Sequence, residues 1–228
     1  MNAVCPLHGA PTRVIGVSAK RFDAVVFDFG GVLITPITNK VQRVAERAGV
    51  EVETMLAVLM GPRHESGDHP WHRAERGEMR VADIQGLLGP YAAAAGVELV
   101  GDEVDVLLDA TTYDKNMVLI ERIESLRSEG YRTGLLTNSF AEFRPTLAKD
   151  LDLTMFDVFV DSSEVGSRKP EPSVYATTTS RFGVHPSRIV YLDDFVQNII
   201  GAEREGWHTI HVTSPVAART ELDALLTA

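Results

Sequence analysis

The chain has 228 residues, 44% of them apolar and 24% charged, with a formal net charge of −10. That length buries a sizeable core without staples, and the single cysteine, Cys5, excludes an internal disulfide. An acidic chain repels phosphate backbones and anionic lipid, so neither nucleic acid nor a membrane surface is an expected partner, and no apolar run is long enough for a transmembrane helix. Residues 1–20 show no sustained period and no signal-peptide pattern. They read as an irregular leader, and a reducing, cytoplasmic location is expected.

The first strong signal is residues 24–29 (AVVFDF), a short apolar run ended by Gly30-Gly31. Such a run reads as a strand buried on both faces, the kind found in parallel sheets. Residues 38 to 114 then hold helical patterns and no convincing buried strand. Helices are expected over Thr38–Ala48, Val52–Met60, 80–95 and 102–111, punctuated by Gly49, Gly61-Pro62, Gly89-Pro90 and Gly96. From residue 115 onward, apolar runs at 132–137, 157–161, 189–193 and 208–212 alternate with helical patterns at 117–129, 171–182, 196–205 and 216–226. Alternation of this kind implies βαβ units in a doubly wound parallel sheet. The expected architecture is α/β, a Rossmann-like core (21–37 and 115–228) with an inserted α-helical cap (38–114).

Ligands of open parallel sheets bind at the carboxyl ends of the strands. Those ends carry Asp28, Thr137-Asn138 and Asp193-Asp194, with Lys169 in the loop before the fourth strand. Singly, an Asp at a strand end is more often a cap or turn residue, and a lone lysine is more often solvated. The joint order favours function. Carboxylates from two strands repel unless a cation lies between them, and oxygen-only ligands select a hard ion such as Mg²⁺. Lys169, Thr137, Asn138 and the backbone N–H groups at Gly30-Gly31 suit phosphate oxygens. An ionised carboxylate beside Mg²⁺ and a lysine can attack phosphorus.

These stretches resemble the four motifs of the haloacid dehalogenase superfamily: VVFDFGGVL (25–33), LLTNS (135–139), GSRKPEP (166–172) and YLDDFVQNIIGA (191–202). The resemblance implies Asp28 as nucleophile and metal ligand. The Gly30 carbonyl, Asp194 and Asp193 complete the Mg²⁺ site. Thr137, Asn138, Lys169 and Gly31 hold the phosphoryl group, with Asn198 supporting them from behind.

Most phosphatases of the superfamily carry a second Asp two residues after the nucleophile, as acid and base. Here that position is Gly30, and general acid–base help is typically worth about 10²–10⁴ in rate. A branch resembling the bacterial α-D-glucose-1-phosphate phosphatases shares the Asp-x-Gly start, and its cap stretch resembles Glu75-Arg76-Gly77-Glu78. Either the substrate has a good leaving group, as a sugar 1-phosphate does, or the cap supplies an acid from among His64, His72 and Glu75. Trp71 reads as cap packing.

The expected function is Mg²⁺-dependent hydrolysis of a small phosphorylated metabolite such as a sugar phosphate. A catalytically weak phosphate-binding protein is the alternative that Gly30 motivates. A dehalogenase, which needs no metal, fits Asp193-Asp194 poorly, and a phosphomutase would need an acid at position 30. The oligomeric state stays open between monomer and homodimer.

Overall fold

The computed structural model describes residues 20–109, 111 and 113–227. The expected leader, with Cys5, lies outside them apart from Lys20. The apolar runs form five strands: β1 (Ala24–Phe27), β2 (Arg132–Thr137), β3 (Val158–Asp161), β4 (Ile189–Asp193) and β5 (His208–His211). All pairings are parallel, and the order across the sheet is β3-β2-β1-β4-β5.

Between β1 and β2 the chain passes through α1 (Thr38–Ala48), α2 (Val52–Met60), α3 (Pro70–Glu75), α4 (Gly89–Ala95), α5 (Glu103–Leu108) and α6 (Met117–Ser128). Short helices α7 (Arg144–Asp150) and α8 (Ser162–Val165) flank β3. Then come α9 (Pro172–Phe182), α10 (Val196–Arg204) and α11 (Pro215–Thr227).

Alternation along the strands sorts side chains to the two faces. Val25, Phe27, Leu135, Val190 and Leu192 share one apolar cluster with Leu119, Ile123 and Leu126 of α6 and Leu222 of α11. Ala24, Val26, Leu136, Ile189 and Tyr191 share another with Val174 and Tyr175 of α9 and Ala202 of α10. The sheet is therefore covered on both sides, the Rossmann-like, doubly wound arrangement expected. A third cluster joins Val41, Val44, Met55, Leu59, Trp71, Ile84, Leu88 and Leu107, so most of the helices between β1 and α6 have a core of their own. The two crossings to it run side by side: Ile34 bridges both Gly30 and Lys115, and Asn116 Nδ2 donates to Val32 O at 2.7 Å.

Three expected elements differ. The helix expected over 80–95 is two 3₁₀ turns (Val81–Asp83 and Gln85–Leu87) followed by α4. Pro90 has no N–H to continue a helix across Gly86–Gly89, so a new helix starts with the proline in its first turn. The helix expected over 102–111 ends at Leu108, because Asp109 turns extended and its Oδ1 accepts from Thr111 N at 2.9 Å. The run at 24–29 leaves the strand after Phe27, although Asp28 N still donates to Leu192 O at 2.9 Å. Helix α3 has no counterpart in the sequence reading. Six residues are too few to show a period, and only Pro70 at its start and the His69 cap, which accepts from Trp71 N, mark it.

Candidate active site

Strand order decides where the site forms. From β1 the chain moves to β2 on one side, and from β4 it moves to β5 on the other. The carboxyl ends of β1 and β4 thus flank the topological switch point. Phe27 pairs with Leu192, so the next residues in register are Asp28 and Asp193. Both continue the side-chain parity of Val26 and Tyr191, the face that α9 covers. The loop that enters α9 delivers Lys169 to the same place.

Lys169 is wholly buried, and its ammonium finds three acceptors: Asp28 Oδ1 at 2.7 Å, Asp193 Oδ2 at 2.8 Å and Leu136 O at 3.1 Å. Burial pulls its pKa down, but Asp193 and Asp28 together outweigh burial and hold it above the ordinary value. Asp193 is further tied to Phe195 N at 2.8 Å, to Asn198 Nδ2 at 3.0 Å and to the Tyr191 hydroxyl. Asn138 does not face the cavity free: its Oδ1 accepts from Lys169 N at 2.8 Å and its Nδ2 donates to Lys169 O at 3.0 Å. The amide therefore clamps the lysine's backbone. Asn198 likewise holds Asp193. Thr137 is buried beside them and lines the cavity.

Asp194 differs from Asp193. Among the described residues, its Oδ1 is buried with no hydrogen-bond partner. Ligand atoms of Asp28, Asp193 and Asp194 all lie within 4.8 Å of one another. Burial pushes the Asp28 carboxyl up to about 7 and Asp194 up to about 8, with the neighbouring carboxylates adding to both. A divalent cation reverses that balance and keeps such groups ionised. An orphaned buried oxygen beside crowded carboxylates fits a hard, oxygen-ligated cation such as Mg²⁺.

Gly31 makes the crowding sterically allowed. It has φ +76°, and a Cβ there would sit 2.0 Å from Asp194 Oδ2. At Gly30 an added Cβ would meet nothing within 4 Å, and the residue lines the cavity.

The cavity, about 190 Å³, lies between this rim and the helices of 38–114. Of the three acids sought there, only Glu75 lines it. Its Oε1 accepts from Trp71 Nε1 at 2.9 Å and its Oε2 from Arg168 Nε. His64 is exposed and lies outside the lining. His72 is fully buried away from the lining, and its Nδ1 accepts from Gly67 N at 3.2 Å. Burial, helped by Arg168, pushes its pKa down to about 3, which favours the neutral imidazole over the imidazolium. Trp71 is buried as expected for packing, edge-on to Phe140 at 5.0 Å, yet it also forms part of the cavity wall.

Arg63 was not singled out from the sequence. It follows α2, lines the cavity and stacks on Phe195. No carboxylate pairs with it directly among the described residues, although Glu75 and Asp194 are close enough to favour its charge. Its one sequence signal is a cation in a Gly-Pro-Arg-His turn of the insert, which is weak. The 38–114 stretch also meets the loop before α9 through Arg76, whose Nη1 reaches Glu171 Oε1 at 3.4 Å and, within its own stretch, Ser66 Oγ at 2.8 Å.

The fold and this rim define an α/β protein with an acidic, lysine-bearing site at the switch point of a parallel sheet. The model of the haloacid dehalogenase-like hydrolases matches residues 22–206, and the chain belongs to that family. It is 31% identical over 223 residues to acyl-CoA dehydrogenase family member 10 of Mus musculus, a match covering 96% of this chain and 20% of that protein. The chain thus spans about one fifth of that relative. It is 25% identical to the sesquiterpene phosphatase astK of Aspergillus oryzae, over 90% of this chain and 97% of that one. Its fold is shared by a haloacid dehalogenase family enzyme of Bacteroides thetaiotaomicron solved with magnesium and inorganic phosphate. That likeness has TM-score 0.57 at 19% identity and covers 83% of this chain and 93% of the other.

Proposed function

We propose that this hydrolase is a Mg²⁺-dependent phosphomonoesterase acting through an aspartyl-phosphate on Asp28. The observation that carries the reading is the orphaned Asp194 oxygen beside Asp28, with Lys169 on the other side of the carboxylate. Asp28, Asp194 and the Gly30 carbonyl would hold the ion, with Asp193 close behind. Once bound, it would neutralise phosphoryl oxygens and keep Asp28 ionised. The helices of 38–114 are the cap in this reading, and Arg63 is its contribution to phosphoryl binding.

Asp28 attacks phosphorus in line and the ester P–O bond breaks. The electron pair leaves on the alcohol oxygen, which takes a proton from water. A second water attacks phosphorus, the aspartyl P–O bond breaks, and inorganic phosphate departs with Asp28 restored. Lys169 and the Thr137 hydroxyl stabilise the charge that develops on the transferring group. Asn138 and Asn198 act by fixing Lys169 and Asp193. Glu75 is read as a strut holding Arg168 and Trp71, because both its oxygens are occupied by donors. Gly30 favours a second reading, a phosphate-binding protein with little turnover.

Hydrolysis of p-nitrophenyl phosphate, run with Mg²⁺ and with EDTA, separates the two. Turnover in Mg²⁺ is expected, and Asp28→Asn should lower kcat by about 10³-fold or more. Phosphate binding without turnover on any ester would favour the second reading, and turnover undiminished in Asp28→Asn would sink the aspartyl-phosphate.

A further inference from the structure

What the ester carries besides its phosphoryl group is constrained by the walls of the cavity. About half of the residues lining it are apolar, among them Met60, Leu107, Leu108, Phe140 and Phe143. Several of the polar groups interspersed with them already have partners. Thr35 Oγ1 accepts from Asp114 N at 2.9 Å and donates to Asp114 O at 3.3 Å. Lys40 Nζ donates to Asp109 O at 2.6 Å and to Leu107 O at 3.0 Å. Glu75 serves Trp71 and Arg168, Asn138 serves the Lys169 backbone, and Asn198 serves Asp193. Arg63 stands where Asp194 and Glu75 favour its charge, at the phosphoryl end of the cavity.

A hydroxyl-rich body would lose its water here and meet mostly carbon or side chains already paired, which is unfavourable for each hydroxyl left without a partner. An apolar body loses nothing of that kind and gains by leaving water. Resting on the phosphatase reading, we propose that the substrate is a phosphomonoester of an apolar alcohol, with a hydrocarbon chain or ring skeleton filling the cavity, rather than a sugar phosphate.

The test is a series of n-alkyl phosphates from ethyl to octyl beside glucose 6-phosphate, all esters of primary alcohols, so leaving-group chemistry varies little. We expect kcat/KM to rise roughly fourfold per methylene over the first several carbons. Glucose 6-phosphate should fall at or below ethyl phosphate. Leu108→Gln, at a half-buried wall position, should flatten the chain-length slope, which a nonspecific attraction to the protein surface would not show. A flat series in the native protein, a slope indifferent to Leu108→Gln, or glucose 6-phosphate above octyl phosphate would overturn the proposal. If no ester turns over, the phosphatase reading fails separately and calorimetry on the same protein decides. Octyl phosphate binding tighter than ethyl phosphate, with the gain lost in Leu108→Gln, supports the apolar chamber, and equal affinities refute it.

Discussion

At the sheet rim, charged and amide side chains are held by several polar partners at once: Lys169 by three acceptors, Asp193 by five donor contacts, Asn138 by the N–H and C=O of Lys169. Across the cavity the stretch 38–114 presents Met60, Trp71, Leu107 and Leu108 beside three charged residues, Lys40, Arg63 and Glu75, of which Lys40 and Glu75 are already hydrogen-bonded to other protein groups. The rim is over-determined because a buried charge is tolerated only with good geometry around it. The opposite wall is under-determined in polar terms, since apolar contacts are non-directional and tolerate exchange. In the proposed reading, one region fixes a chemistry and the other selects what is brought to it.

Three substitutions probe that division. The largest effect is expected from Gly31→Ala. Its Cβ would overlap Asp194 Oδ2, and the φ of +76° is unfavourable for alanine. Displacing that carboxylate should lower Mg²⁺-dependent turnover by roughly 10²-fold, the cost of an ångström-scale misplacement. Steady-state kinetics across a Mg²⁺ titration check it, and unchanged turnover and metal dependence would show that the rim is looser than described.

Arg63→Met asks whether the helical wall takes part in phosphoryl binding. A hydrogen bond to a charged group is worth about 1.5–3 kcal/mol, so KM for p-nitrophenyl phosphate should rise by roughly ten- to a hundredfold. An unchanged KM would confine phosphoryl binding to the sheet side.

His72→Gln should have the smallest effect, on stability rather than chemistry. The folded-state pKa of His72 lies near 3, below the unfolded value of 6.5. Between those values the unfolded chain binds the extra proton, so stability is present above pH 6.5 and is lost as pH falls toward 3. One such group contributes a slope of about 1.4 kcal/mol per pH unit. Gln can still accept from Gly67 N and does not titrate. Denaturant unfolding from pH 6.5 to 4.5 should therefore show a shallower acid loss in the variant, and identical slopes would contradict a neutral, buried His72.

The parallel strands were legible because residues buried on both faces read as unbroken apolar runs ended by Gly, Asp or Asn, as at Val25–Val26 and Val190–Leu192. The helices α1 and α2 were legible to the residue, since glycines close each one. Helix α3 was not, because six residues cannot show a period, and Gly89-Pro90, punctuation by sequence pattern alone, is the restart of a helix. Of the site, Asp28 and Asp193-Asp194 stood out by their place at strand ends, and Lys169 by its place in the loop before the fourth strand. Arg63 did not, because nothing local distinguishes a cation aimed into a cavity from one in solvent.

By itself the sequence determined the sheet, its order of elements and the residues at its rim, because strand burial and motif spacing are local and survive without coordinates. Tertiary structure alone decided the pairings. It set Asn138 on the Lys169 backbone, left one Asp194 oxygen without a donor among the described residues, buried His72 away from the cavity lining and brought Arg63 and the apolar wall over the rim. Most of those facts depend on contacts between residues far apart in the chain, such as Asn138 with Lys169 and Arg63 with Phe195, whose directions no local pattern encodes.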